Sequence, residues 1–220
     1  MVPVCTVLLV AGGGTVGWAA TQQVGAPPAP TSAAAGSGEA KGDPLPSTTA
    51  SSAHSPAGSS APSPDVEPMA ASRPTEVRLP DIGVHSRLQG LGLDAAGRLE
   101  VPEGEHYDEA GWYTGSPTPG ETGPSVLLGH VTGSGHDPSI FFDLGATEVG
   151  DRIEVDRRDG STAVFTVTRV RQYPKDDFPR AAVYGATSDP ELRVITCGGT
   201  YDEAARRHLS NVVVYAELVD

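Results

Sequence analysis

Hydrophobic and polar positions divide the 220-residue chain into an apolar start, a long polar middle and a strand-rich remainder. From about residue 75 onward, apolar residues form short runs or alternate with polar residues, and Gly, Pro and Asp separate these runs. The spacing predicts roughly seven or eight short β-strands. Because few stretches have a helical pattern, we expect one all-β domain, closed as a barrel or folded as a sandwich.

The clearest strand signals lie in the second half of the chain. Residues 125–131, SVLLGHV, form an apolar run with a histidine near its end. Residues 151–173 alternate on both sides of the dipeptide Asp159-Gly160, which is typical of a β-hairpin, and the second alternation slips once. Further apolar strands are predicted at 192–197 and 211–219, and helical turns near 140–146 and 202–209.

Residues 1–20 are apolar or small, and the first charged residue is Glu39. About twenty such residues are enough to cross a bilayer as a helix, and the preferred interpretation is an uncleaved single-pass membrane anchor. A cleaved secretory signal and a buried helix are the alternatives. Since an anchor and a signal would both send the rest of the chain outside the cell, we expect a cell-membrane protein with an extracellular folded domain.

Residues 21–74 are rich in Pro, Ala, Ser and Gly, and no aromatic residue occurs between Trp18 and Tyr107. A segment of this composition cannot bury enough apolar surface to offset the entropy lost on ordering. We therefore predict a disordered linker that separates the N-terminal segment from a folded domain at 75–220.

The formal net charge is −13, and the chain has no run of Lys or Arg. Nucleic acids and anionic lipid surfaces are bound by positive surfaces, so neither is an expected ligand of the folded domain. Close-spaced His and Cys ligand pairs are also missing from the sequence, and the acidic pairs at 176–177 and 202–203 are typical of solvated loops. We expect no metal and no cofactor.

Of the two cysteines, Cys5 lies in the apolar segment, so Cys197 has no partner for a disulfide within the folded domain. Cys197 ends a predicted strand and precedes two glycines, a place where a thiol is rigid and reachable. A nucleophilic thiol needs a nearby histidine or positive charge. Among six histidines, His130 alone closes a buried strand, as a general acid and base would. Taken singly, Cys197 also fits a small core hydrophobe and His130 a hydrogen-bonded core histidine.

Two longer phrases resemble the sortases, the extracytoplasmic cysteine transpeptidases of Gram-positive bacteria. They are GWYTGSPTPGETGPSVLLGHV at 111–131 and ELRVITCGG at 191–199, the second followed by NVVVYAEL at 211–218. The resemblance covers roughly residues 76–220. The variant is similar to the class F type of sortase found in actinobacteria. It implies a single closed eight-stranded β-barrel with short helical turns.

The resemblance also implies a mechanism. Cys197 would attack the carbonyl of a Thr–Gly-type bond to form a thioester, and His130 would protonate the leaving amine and later deprotonate an incoming one. The family uses an arginine to support the substrate and the oxyanion. Asn211 stands where that arginine would align. Arg193 is the preferred substitute because it shares a strand face with Cys197, and Arg207 is the alternative.

The resulting expectation is a membrane-tethered cysteine transpeptidase. It would cleave LPxTG-like C-terminal sorting signals of surface proteins and join them to a cell-wall amine. The amine would come from a peptidoglycan crossbridge or its lipid-linked precursor. Two other functions stay open, namely a cell-surface β-domain with an inert buried cysteine and a cysteine peptidase that hydrolyses its acyl-enzyme.

Overall fold

The computed structural model describes residues 26–31, 66–133, 135 and 137–219. The predicted apolar segment at 1–20 and most of the predicted linker at 21–74 therefore lie outside the described residues. Within the described ranges, no helix combines the length and the hydropathy needed to cross a bilayer.

Eight strands account for most of the described chain. They are β1 (Pro74–Leu79), β2 (Val84–Leu91), β3 (Ala110–Tyr113), β4 (Gly123–Leu128), β5 (Arg152–Arg157), β6 (Thr162–Pro174), β7 (Pro190–Asp202) and β8 (Arg207–Leu218). One short helix, α1 (Arg180–Tyr184), follows β6. Turns of 3-10 helix occupy Pro80–Ile82, Gly104–His106, Phe142–Ala146 and Lys175–Asp177.

The strands close into a barrel in the order β1-β2-β3-β4-β7-β8-β6-β5. The closed eight-stranded all-β fold expected from the sequence is thereby confirmed. Most neighbours are antiparallel, but two pairs are parallel, β2 with β3 and β4 with β7. The β4–β7 pair runs from Gly123 opposite Pro190 to Leu128 opposite Ile195. Because parallel strands run side by side in the same direction, the residues that follow β4 come close to residues 196–197 in the middle of β7.

The predicted hairpin at 151–173 is formed by β5 and β6, with Asp156 opposite Thr162. Its turn contains Gly160, whose φ of 87° lies in the left-handed region that glycine adopts without strain. The slip in the second alternation is a register shift between Val167 and Arg169.

The helical turn predicted at 202–209 is wrong. Asp202 ends β7, Arg207 begins β8, and the two residues pair across a hairpin. The Asp202 carboxylate accepts hydrogen bonds from the backbone N–H groups of Ala204 and Ala205, and Arg206 takes a φ of 52°. These local bonds and the positive φ reverse the chain, so its helix-forming residues cannot continue a helix.

Strand alternation sorts β7 into an inner and an outer face. Leu192 and Val194 belong to the core inside the barrel. Ile195 packs in a second apolar cluster with Leu128 and Val213, on the outside of β4, β7 and β8. Cys197 and Arg193 follow the alternation of Ile195, which is the face predicted for them.

The second cluster is covered by the connection between β6 and β7. Val183 of α1 is fully buried there, and Phe178 packs against the same cluster. This connection therefore borders the outer face of β7.

Candidate active site

Cys197 is a free, half-buried thiol within β7. The expectation that it ends its strand is wrong, because β7 continues to Asp202 by pairing with β8 in a hairpin. It pairs in register with Asn211 of β8. The next residue, Gly198, is held so close to β8 that an added Cβ would lie 2.7 Å from Val212 Cγ2. The glycine after the cysteine thus lets two strands approach beside the thiol, which fixes the position of the sulfur.

His130 follows the end of β4. The last β4–β7 pair is Leu128 with Ile195, and beyond it the Gly129 N–H donates to the Ile195 carbonyl at 3.2 Å. The Thr196 hydroxyl donates to the Gly129 carbonyl at 2.9 Å. His130 and Cys197 each lie two residues beyond the same pair, so the fold brings the chain that leaves β4 beside Cys197 within β7.

The imidazole of His130 is oriented by its Nε2 atom, which lies 2.8 Å from the Pro102 carbonyl oxygen. A carbonyl can only accept a hydrogen bond, so Nε2 is the nitrogen that carries the hydrogen. The Nδ1 atom then carries no hydrogen in the neutral ring. Half-buried and held in this way, the ring presents Nδ1 as the candidate atom for proton transfer.

Tyr107 stacks on this imidazole, with ring centroids 4.0 Å apart and planes 7° apart. The pKa of the Tyr107 phenol is raised, first because burial disfavours the phenolate, and also because the acidic groups of Asp108 and Cys197 lie within electrostatic range. Tyr107 is therefore a neutral ring that contacts the histidine and lies within electrostatic range of the thiol. Sequence reasoning missed it, because it lies in the irregular connection between β2 and β3.

Lys175 is a second residue that sequence reasoning missed. Its Nζ donates to Cys197 Sγ at 3.2 Å. Lys175 opens the 3-10 turn that follows β6, and a single basic residue in the stretch YPKDD carries no pattern that points to a site. Neighbouring Asp176 and Asp177 are exposed, as predicted for a solvated acidic pair.

Arg193 lies on the predicted strand face, but its guanidinium is engaged elsewhere. Nη2 lies 2.5 Å from a carboxylate oxygen of Glu191, and Nη1 donates to the Leu192 carbonyl at 3.2 Å. The guanidinium carbon lies 4.6 Å from the centre of the Tyr215 ring, and the side chain is only 3% exposed. These contacts tie Arg193 to β7 and β8 within the outer apolar cluster, and its role at the oxyanion stays a prediction.

Arg207, the alternative, is an exposed residue at the start of β8, opposite Asp202 in the β7–β8 hairpin. Among the described residues, neither Arg193 nor Arg207 has a hydrogen bond to the thiol. The structure thus groups His130, Cys197, Lys175 and Tyr107, and it leaves both candidate arginines outside this group.

A cavity of about 390 Å³ opens on the outer side of β4. Val126, which lines it, also belongs to the outer apolar cluster, so the cavity lies on the sheet face that carries the thiol. The lining combines two tyrosines with hydroxyl and small residues, and it contains no charged side chain: Tyr113, Ser116, Thr122, Tyr184 and Thr187 are its polar members. Such a lining suits an uncharged peptide segment.

Comparison with known proteins places these features in a family. A model of the sortase domain matches residues 77–219. Comparison of the sequence with curated proteins gives no match.

Solved structures of sortases share the fold. A lid mutant of sortase A from Corynebacterium diphtheriae has a TM-score of 0.52 and 20% identity, over 67% of this chain and 70% of that one. Sortase C-1 from Actinomyces oris has a TM-score of 0.51 and 19% identity, over 66% and 73%. Because the family model spans the barrel from β1 to the end of β8, the chain belongs to the sortase family of cysteine transpeptidases.

Proposed function

We propose that this sortase cleaves LPxTG-like C-terminal sorting signals and transfers the freed carbonyl to a cell-wall amine. The observation that supports the proposal best is the position of His130 and Cys197, each two residues beyond the same parallel β4–β7 pair. This position supports the proposal because a nucleophile and a proton carrier need to lie on neighbouring parts of the fold.

In the first half of the reaction, the Cys197 sulfur attacks the scissile carbonyl carbon and forms a tetrahedral intermediate. His130, protonated at Nδ1, gives this proton to the nitrogen of the leaving amine. The carbon–nitrogen bond breaks, and a thioester joins the substrate to Cys197. The hydrogen bond from Nε2 to Pro102 persists through this step because a different nitrogen transfers the proton.

In the second half, an incoming amine attacks the thioester carbon and loses a proton to Nδ1 of His130. A new amide forms, and the sulfur leaves without needing a proton. The acceptor proposed here is the amine of a peptidoglycan crossbridge or of its lipid-linked precursor. Arg193 is kept as the sequence-based candidate for support of the oxyanion.

The uncharged cavity beside β4 supports the proposed substrate class. Tyr113 and Tyr184 provide aromatic walls, and Val126 provides part of the apolar floor. A sorting signal with leucine, proline and threonine would bury its apolar side chains there without leaving a charge unpaired. The scissile bond would then lie beside Cys197, just beyond the last β4–β7 pair.

The cellular arrangement is proposed from the sequence. Residues 1–20 would anchor the chain in the cell membrane, and the linker at 21–74 would hold the barrel outside the cell. An enzyme placed in this way meets exported proteins and cell-wall precursors at the membrane surface.

The test uses the purified full-length chain in detergent with LPxTG and LAxTG peptides, followed by mass spectrometry of Cys197. We expect an acyl adduct that triglycine releases as a ligated peptide. Release at the same rate without triglycine would indicate a hydrolytic peptidase, and a thiol inert to peptides and alkylating reagents would indicate a non-enzymatic β-domain. Cys197→Ala must abolish the adduct, and His130→Ala should slow its formation by roughly a hundredfold or more.

A further inference from the structure

The only described cation that donates a hydrogen bond to the candidate nucleophile is Lys175, with Nζ 3.2 Å from Cys197 Sγ. Lys175 forms no ion pair with any described carboxylate, although Asp176 and Asp177 follow it directly in the chain. A half-buried lysine without a carboxylate partner directs its ammonium to the sulfur, a contact that a purely structural lysine does not need.

The barrel fixes this contact through three adjacent strands. Tyr173 of β6 pairs with Asn211 of β8, and Asn211 pairs with Cys197 of β7. Lys175 comes two residues after Tyr173, and β8 lies between β6 and β7, so its long side chain extends across β8 to reach the thiol. The register of the three strands brings the start of the 3-10 turn that follows β6 near the level of the thiol.

The two candidate arginines do not contact the thiol. Arg193 is paired with Glu191 and is only 3% exposed. Arg207 lies at the hairpin end of β8 and is exposed. Among the described residues, Lys175 thus provides the positive charge that contacts Cys197 Sγ.

We propose that Lys175 is a catalytic residue that stabilises the Cys197 thiolate and aims it at the scissile carbonyl. The inference deepens the proposed function, on which it rests for the identity of the substrate. A positive charge in contact with sulfur favours the thiolate, which is the nucleophilic form of cysteine. The ammonium also donates along one direction, which leaves another lone pair of the sulfur to face the substrate.

The charges balance without a proton from Lys175. Before attack, the thiolate carries one negative charge, and His130 and Lys175 each carry one positive charge. When the thioester forms, the sulfur becomes neutral and His130 gives its proton to the leaving amine, while Lys175 stays protonated. When the acceptor amine displaces the sulfur, the amine's proton returns to His130 and the thiolate returns to Lys175.

Alkylation of Cys197 by iodoacetamide tests the inference without a peptide, on the full-length chain with Cys5→Ser so that one thiol is followed. Lys175→Met should lower the second-order rate about tenfold at pH 7, as expected for loss of a contact ion pair in a half-exposed site. Lys175→Arg should keep most of the rate because the charge remains. Arg180→Met, which removes a positive charge from the same β6–β7 connection, should leave the rate unchanged.

The pH profile separates an electrostatic role from a structural one. Removal of the lysine should move the half-maximal alkylation rate to higher pH, whereas a packing defect would lower the rate equally at every pH. The other titratable groups around the contact are the same in every variant: Tyr107, His130, Tyr173, Asp176, Asp177 and His208. Thermal unfolding of each variant shows whether it is folded.

An unchanged rate and profile in Lys175→Met would overturn the inference, and so would an equal loss in Arg180→Met. A Lys175-dependent rate together with peptide ligation supports both the inference and the proposed function. If the alkylation rate depends on Lys175 but no peptide adduct forms, the role of the lysine at the thiol is supported. The proposed substrate class is then rejected.

Discussion

Tyr107 lies flat on His130, with planes 7° apart and ring centroids 4.0 Å apart. The Pro102 carbonyl holds the edge of the same imidazole through Nε2. Both contacts come from the connection between β2 and β3, so a loop that contributes no strand to the barrel sets the position of the candidate acid and base. The orientation of His130 thus depends on two weak contacts that act together.

Tyr107→Ala should reduce kcat/KM about tenfold, because a stacked aromatic pair contributes on the order of 1 kcal/mol and the imidazole would gain freedom to rotate. Tyr107→Phe should stay near the wild-type value, since the stacked ring remains. The measurement is the rate of ligation of a sorting peptide. An equal loss in both variants would show that the hydroxyl acts directly and that stacking is not the cause.

Arg193→Ala should lower the free energy of unfolding by about 2 kcal/mol, because the half-buried Glu191 carboxylate loses its charged partner. Exposed Arg207→Ala should change it by about 0.5 kcal/mol or less. Urea unfolding gives both values. Turnover, corrected for the folded fraction, then decides the oxyanion role. A further loss of about a hundredfold in Arg193→Ala supports that role, and a loss explained by unfolding alone excludes it.

Gly199→Ala should destabilise the fold by roughly 2 kcal/mol, since φ is 70° and the new Cβ would lie 2.9 Å from Ser210 Oγ. Gly97→Ala is a matched control, because its φ is 73° but nothing lies within 4 Å of the added Cβ. The control should lose about 1 kcal/mol and keep full activity. Gly199 lies two residues after Cys197, so its variant should also ligate peptides more slowly. Equal unfolding midpoints for the two variants would contradict this prediction.

Asp156→Asn should destabilise the fold at neutral pH by about 1 kcal/mol, as expected for a well-formed ion pair near the surface. Arg78 donates to both oxygens of the Asp156 carboxylate, and these bonds lower its pKa from 3.8 to about 2. A folded-state pKa below the ordinary value means that the stabilisation is complete above about pH 5 and disappears as the pH falls through about 2. Unfolding midpoints of the two proteins should therefore converge between pH 4 and 2. A difference at pH 2 as large as the one at neutral pH would show that packing causes it.

Local signals in the sequence account for the barrel strands and for two of the site residues. Alternation with an Asp-Gly turn predicted the β5–β6 hairpin, because both the strand period and the turn are encoded by neighbouring residues. The candidates His130 and Cys197 were selected in the same way, since each lies at the end of an apolar run in the sequence. Their meeting required only that the two strands be neighbours in the barrel.

Features that depend on the path of a loop were not predictable from the sequence. Tyr107 and Lys175 reach the site from irregular connections, whose course no residue period encodes. The segment at 202–209 contains good helix formers, but its pairing as a hairpin outweighs their intrinsic preference. The five-residue helix α1 is shorter than the window in which helical periodicity can be recognised.

The parallel pairing of β4 with β7 also has a consequence for folding. The contact between Thr196 and Gly129 joins residues 67 positions apart, and β5, β6 and α1 lie between them in the chain. Contacts of such separation carry a large loop-closure entropy and form slowly. Before the barrel closes, Cys197 therefore has no histidine held beside it. The neighbouring positions of the candidate nucleophile and the candidate proton carrier are a property of the completed barrel.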